Sequence, residues 1–303
     1  MTALPQIFEE GAMTDATALR LFLLVITNAG GEGKTWITML LLTIFRLLDQ
    51  DILTLDGDPG NRASSAADIG AKAMDVFEDP QKLTDRISNS LAGTKSLLVD
   101  AGANILAASV SFGDTMRDVG FKLEDDGYRV KGLWVVSTNK IGAAESATAA
   151  ARRFGQPFEP LWLFNDRDGS GMVPAGLEPD ITVAHLAPGY VVLVNEAGGF
   201  EPIVREGIPG YQMSADIIAK YVWRFADQHG VRALFGDVAI DSLRSILDRD
   251  VMDLHPVQFT SKKSDDEIIE WSAHLEILRI VTAYRGDIDA MIRALTNIKS
   301  RGC

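Results

Sequence analysis

An unbroken apolar run, Leu21–Ile26, leads straight into Thr27-Asn28-Ala29-Gly30-Gly31-Glu32-Gly33-Lys34-Thr35, and residues 36–48 that follow are long, apolar and free of Pro and Gly. The first run has the length of a buried strand and the last that of a buried helix, so a glycine turn joins strand to helix. Gly30, Gly31 and Gly33 let the backbone turn sharply and come close to an anion, with successive N–H groups and the helix N-terminus aimed at it. In such a phosphate cradle Lys34 reaches the β- and γ-phosphates and the Thr35 hydroxyl sits on Mg²⁺. Asn28 stands five positions before Gly33, where the general motif has glycine. Asn enters left-handed backbone conformations more readily than most other residues, which makes the exchange tolerable. Glu32 and Trp36 lie in the same stretch and count with it as nucleotide-contacting candidates.

Along the chain short apolar runs alternate with helical stretches, the pattern of a doubly wound, mostly parallel α/β sheet with helices on both faces. Strands are expected at Leu21–Ile26 and at residues 51–55, 96–99, 132–136 and 190–194, with weaker signals at 160–164 and 233–235. Helices are expected at 36–48, in part of 114–121, and at 143–153, 214–229, 241–249, 265–284 and 287–298. The organisation read from this is an extension over 1–20, a nucleotide-binding domain over 21–250 with a loop-rich insertion at 155–189, and a helical segment over 251–303. The insertion carries Asp166-Arg167-Asp168-Gly169-Ser170-Gly171, which suits a lid, a partner-binding loop or a plain surface excursion.

Acidic residues then narrow the chemistry. The second strand ends in Leu55-Asp56-Gly57-Asp58-Pro59-Gly60-Asn61, and the third in Leu97-Leu98-Val99-Asp100-Ala101-Gly102. In an open parallel sheet ligands bind at the carboxyl ends of the strands, so these carboxylates fall on the side of the glycine turn. Asp100 would bond Mg²⁺-bound water, Asp58 would orient the attacking water or the Mg²⁺ shell, and Asp56 would support Lys34 or the metal. Each residue alone would read equally well as a helix cap or turn carboxylate.

The order G-G-E-G-K-T, D-G-D-P-G-N, L-L-V-D-A-G resembles the ParA/MinD family of deviant Walker A ATPases, closely over residues 21–140 and more loosely to about 250. The resemblance implies MgATP binding, a nucleotide-dependent homodimer, and a switch serving DNA partitioning, septum placement or conjugation. The short N-terminus makes it similar to the small plasmid partition, stability and transfer ATPases, whose partners are DNA-binding adaptors or transfer proteins. Family members carry a lysine before the paired glycines that reaches the partner's phosphates, whereas this chain has Ala29. Lost charge at that point implies slow or absent hydrolysis, for which Arg62 is one substitute cation. Gly60 replaces the usual Gln. The family also sets an Asn at a late strand end against the adenine, a role that Asn195 fits best, with Asn165 as rival. Asn139 matches the guanine-reading N-K-x-D element only in part, because Gly142 stands where Asp belongs, which disfavours GTP.

Composition bounds the remaining classes. Of 303 residues 47% are hydrophobic, enough for a full core, and the one cysteine, Cys303, excludes an internal disulfide framework and any cysteine-based metal site. A net charge of −13 opposes a chain that grips nucleic acid over its whole surface, leaving only local patches such as Arg152-Arg153 and Lys262-Lys263 for direct DNA contact. No apolar run reaches the roughly 18 residues of a membrane span, and residues 1–15 lack the order of a secretion signal, so the chain reads as cytoplasmic. Residues 287–299 have one apolar helical face and few basic residues opposite it, suiting docking on the protein body rather than on a membrane. Two other functions stay open: a scaffold that holds nucleotide without hydrolysing it, and a metabolic phosphotransferase or ligase. For the latter, His185, His229, His255 and His274 show no shared spacing with a carboxylate.

Overall fold

The computed structural model describes residues 19–27, 30–57, 70–91, 96–102, 105–138, 140, 142–174 and 176–249. In chain order the elements are β1 (Leu21–Ile26), α1 (Lys34–Leu47), β2 (Ile52–Gly57), β3 (Lys72–Ala73), α2 (Pro80–Ser90), β4 (Ser96–Ala101), α3 (Ile105–Ala108), α4 (Val110–Asp125), β5 (Arg129–Ser137), α5 (Ala143–Phe154), β6 (Glu159–Asn165) and β7 (Ile181–Val183). Six helices follow: α6 (Pro188–Glu196), α7 (Phe200–Glu206), α8 (Gln212–Ala226), α9 (His229–Phe235), α10 (Asp237–Ser242) and α11 (Arg244–Leu247).

All seven strands form one parallel sheet in the order β3-β2-β4-β1-β5-β6-β7, so the chain winds outward from β1 in both directions. This is the doubly wound α/β sheet that the alternation of runs implied. Every residue of β1 is buried, as a central strand covered on both faces requires. Phe22, Leu24 and Ile26 join Leu97 and Val99 of β4 in a core completed by Leu83 and Ile87 of α2 and by Phe112, Met116 and Val119 of α4. The two-residue period of a strand sends Leu21, Leu23 and Val25 to the other face, where α1 packs on β1 and β4. Ala144 and Ala147 of α5 meet Val136 of β5 and Phe164 of β6.

By its contacts the described chain divides into two compact units. One comprises the residues up to Ala184 with Phe225–Leu243, and the other His185–Arg224 with those from Arg244 onward. In the first, the late stretch is tied to α1 by the Phe45–Phe235 ring pair at 4.8 Å and to β5 by Arg129, which donates to the Ala233 and Leu234 carbonyls at 3.1 and 2.5 Å. Gln228 closes the edge of β7 from both sides. Its Oε1 accepts from Thr182 N at 2.7 Å and its Nε2 donates to Thr182 O at 2.8 Å. The second unit packs Phe200 against Tyr221 with ring centroids 5.8 Å apart, and Arg249 bonds Asp216 Oδ1 and the Val204 carbonyl, each at 2.7 Å.

Two expected strands are helices. Residues 190–194 lie in α6 and 233–235 in α9. Pro188 opens α6 and Gly198 and Gly199, with φ of 73° and 130°, follow it, so start and stop signals overrode the strand preference of Tyr-Val-Val-Leu-Val. Gly236, φ 89°, likewise stops α9. The helix expected over 241–249 is broken into α10 and α11. Sequence reasoning missed β3, α2, α3, β7 and α7. Helix α2 buries only Leu83 and Ile87, too sparse a stripe to read, although Asp79 caps it by accepting from Lys82 N at 3.2 Å. The helices expected at 265–284 and 287–298 lie outside the described residues.

Where β7 meets α9 the backbones approach closely. A Cβ on Gly230 would stand 2.5 Å from the Asp180 carbonyl oxygen and 2.6 Å from Ile181 Cγ1. Gly230→Ala should therefore push α9 off the sheet edge and lower unfolding stability by about 1–3 kcal/mol, to be read from urea denaturation.

Candidate functional site

Because β2, β4 and β1 are adjacent and parallel, their C-terminal tips share one edge. The register sets Asp56 beside Asp100 and Asp100 beside Val25, so both carboxylates flank the start of the glycine turn. Alternation places Asp56 and Asp100 on the face that α1 covers, away from the core formed by Leu55, Val99 and Ala101. Gly31 and Gly33 have φ of 73° and 89°, the left-handed region that glycine enters without steric cost. Gly33 is the cap residue of α1 and offers no side chain to the first helical N–H groups.

The turn is held from outside through its carbonyls. Lys140 Nζ donates to Gly30 O, Arg167 Nη1 to Gly31 O at 3.1 Å, and Asn165 Nδ2 to Glu32 O at 2.7 Å. Ile37 N takes Gly33 O at 3.2 Å as the first bond of the helix. In a trans peptide the N–H points opposite to the C=O. The N–H groups of Gly31, Glu32 and Gly33 are accordingly turned away from those donors, toward the side an anion would enter. Asn165 sits so close that a Cβ on Gly33 would be 2.2 Å from its Nδ2.

Glu32 has an unexpected task. Its side chain is buried, accepting from Ser137 N at 2.5 Å through Oε2 and pairing with Lys140 Nζ at 2.9 Å through Oε1. The side chain anchors the turn to the tip of β5, which leaves its backbone N–H as the group able to meet a ligand. Lys34 is buried in the first turn of α1, where Thr35 and Trp36 are half-buried.

Asp100 is the electrostatic centre of the site. It is 5% exposed, its Oδ1 has no hydrogen-bond partner, and burial pushes its pKa from 3.8 up to about 7. Lys34 pulls in the opposite direction, Asp56 adds to the rise, and the Thr38 and Thr35 hydroxyls lower it. A buried carboxylate with an unused oxygen, a second carboxylate and a hydroxyl nearby make a set of hard oxygen donors suited to Mg²⁺. Among the described residues no group of three or more His, Cys, Asp or Glu could enclose a metal by itself, so such an ion would take its other ligands from water and phosphate.

Of the residues singled out in the sequence, the structure brings Gly30, Gly31, Glu32, Gly33, Lys34, Thr35, Trp36, Asp56 and Asp100 to one edge. Asn28 and Asp58 lie outside the described residues, as do Ala29, Arg62 and Asn139. Asn195 requires a correction, since it is on the last turn of α6 in the second unit rather than at a strand end. The strand-end position belongs to Asn165, which closes β6 and whose amide is engaged with the turn. Lys140 and Arg167 were missed as parts of the site. Lys140 was visible only as a fragment of a guanine-reading motif, and no spacing rule points to Arg167.

No family model and no curated protein matches the chain. Among solved structures it is similar to the MinD cell division protein of Aquifex aeolicus, at 17% identity over 76% of this chain and 98% of that one, with a TM-score of 0.41. It is also similar to the septum site-determining protein MinD complexed with Mg-ADP from Pyrococcus horikoshii OT3, at 17% identity over 73% and 94%, TM-score 0.39. A third is the signal recognition particle receptor FtsY from Elizabethkingia anophelis, at 13% identity over 55% of this chain, which spans 59% of the receptor, TM-score 0.37. Likeness at this level adds nothing to the fold beyond the strand order, and function rests on the site itself. Among the described residues no helix is long and apolar enough to cross a membrane.

Two outcomes follow from this geometry. Gly33→Ala should abolish nucleotide binding in calorimetry, because the methyl would displace Asn165 and the backbone would carry a left-handed strain of about 1–2 kcal/mol. Asp100 also makes stability depend on pH. With a folded pKa of about 7 against 3.8, the folded state holds a proton that the unfolded state has released between those values. Its stabilisation is complete below about pH 4 and is lost as pH rises through 7, with a slope of up to about 1.4 kcal/mol per pH unit. Asp100→Asn should flatten that part of the profile in ligand-free urea unfolding between pH 5 and 7.5.

Proposed function

We propose that this chain is a MgATP-binding switch of the ParA/MinD type, closing into a homodimer on ATP and serving plasmid partition or stability, or conjugative DNA transfer. The observation that carries the nucleotide reading is the clamped turn, whose three carbonyls are held outward so that three amides face an incoming phosphate. These amides and Lys34 would hold the phosphates. Thr35 would touch Mg²⁺ directly, Asp100 would accept from its water, Asp56 would support from beside Asp100, and Asp58 would orient the attacking water. Mg²⁺, when bound, neutralises charge on the phosphate oxygens. Asn28 and Trp36 complete the nucleotide-contacting set, and the base edge falls to the remaining Oδ1 of Asn165. Adenine is favoured because Gly142 stands where a guanine-reading Asp would be.

The partner is a DNA-binding adaptor or a transfer or partition protein, and the setting is the cytoplasm. A second reading rests on Ala29: the chain holds ATP as a scaffold and hydrolyses it slowly or not at all. Phosphate release measured with added DNA and candidate adaptors separates the two, since the switch requires stimulated turnover.

Calorimetry of the full chain should show MgATP binding and weaker MgGTP binding, and Lys34→Ala should remove both. Light scattering should show a dimer with MgATP and a monomer without it. A wild-type chain that takes up neither nucleotide removes the proposal.

A further inference from the structure

The loop after β6, read from the sequence as a lid or a surface excursion, touches the glycine turn. Its backbone is fixed by its own bonds: Asp166 N donates to Val183 O at 2.9 Å, Gly171 N to Asp166 Oδ1 at 3.1 Å, and Ser170 N to Asp168 Oδ1 at 3.1 Å. Arg167 is thus delivered from an ordered turn, and its Nη1 reaches Gly31 O at 3.1 Å. A Cβ on Gly31 would lie 3.9 Å from that Nη1 and 3.8 Å from Lys140 Nζ, so two cations flank a turn whose Ala29 is neutral.

The two cations are differently placed. Lys140 is paired with the buried Glu32 carboxylate and donates to the Gly30 carbonyl, while Arg167 meets the turn through the Gly31 carbonyl. Gly31 carries no Cβ, so the peptide joining it to Glu32 can rotate at little cost unless its carbonyl is held. The outward bond from Arg167 is what holds it.

Resting on the nucleotide reading above, we propose that Arg167 is a positioning residue of the phosphate site. By fixing the Gly31 carbonyl it aims the Glu32 N–H at the nucleotide phosphates. The loop 166–171 thereby controls the affinity of the site.

Calorimetry with MgATP on the full-length chain tests this with Arg167→Ala and Arg167→Lys. Arg167→Ala should weaken binding about tenfold, as loss of a charge-assisted bond implies, and Arg167→Lys, which keeps one cationic donor, should stay within about threefold of wild type. The ligand-free thermal midpoint should be the same in all three proteins. Wild-type affinity in Arg167→Ala overturns the assignment, and so does a loss shared equally by both variants together with a lowered ligand-free midpoint. If the wild type binds no MgATP, the nucleotide reading falls first and this one with it, whereas a binding wild type with an indifferent Arg167→Ala removes only the present proposal.

Discussion

A carboxylate carried into the interior, that of Glu32, ties the glycine turn to the sheet. Burying a charge is costly unless it is paired and hydrogen-bonded, and here the Ser137 amide and the Lys140 ammonium both meet it. With that anchor made, Lys140 is brought against Gly30 O, and the neighbouring tips of β5 and β6 lie where Asn165 and Arg167 can take the next two carbonyls. The orientation of the turn's amides is a consequence of where these donors stand, and the glycines only make it sterically affordable.

A few residues away Asp100 has the opposite fate. It too is a buried carboxylate, but Lys34 offsets only part of the cost of burial, and one oxygen has no partner. Glu32 has the Ser137 amide on one oxygen and the Lys140 ammonium 2.9 Å from the other, and so fixes structure although that second oxygen accepts no hydrogen bond. Asp100 is left short of positive charge, so a divalent cation would bring it the compensation that the fold withholds. The two acidic residues beside the same turn differ in charge balance: Glu32 has a cation in direct contact, while burial outweighs the pull of Lys34 on Asp100.

The sheet and the turn were legible because their signals are local. Leu21–Ile26 is a continuous apolar run that leads into the glycine turn, and the tips at Asp56 and Asp100 each follow a short, mostly apolar run. Asn195 misled because Tyr-Val-Val-Leu-Val has strand preference, whereas Pro188 before it and Gly198-Gly199 after it set the limits of a helix. Lys140 and Arg167 could not be read as a clamp at all. Their partners are backbone carbonyls more than a hundred positions away, and a carbonyl leaves no trace in residue identity. The task of Glu32 was hidden for the same reason, since its amide partner belongs to Ser137.

The Gln228 side chain, which gives and takes a hydrogen bond with Thr182 as a neighbouring strand would, leaves β7 with that residue's outward valences already filled. At the far side of the sheet β3 is two residues long, too short to template an added strand. Among the described residues neither rim therefore offers the open ladder through which α/β proteins extend into continuous sheets or aggregate. A second copy meeting the protein at either of these described rims would meet side chains, so the reversibility of such a contact would depend on what they carry rather than on main-chain zippering.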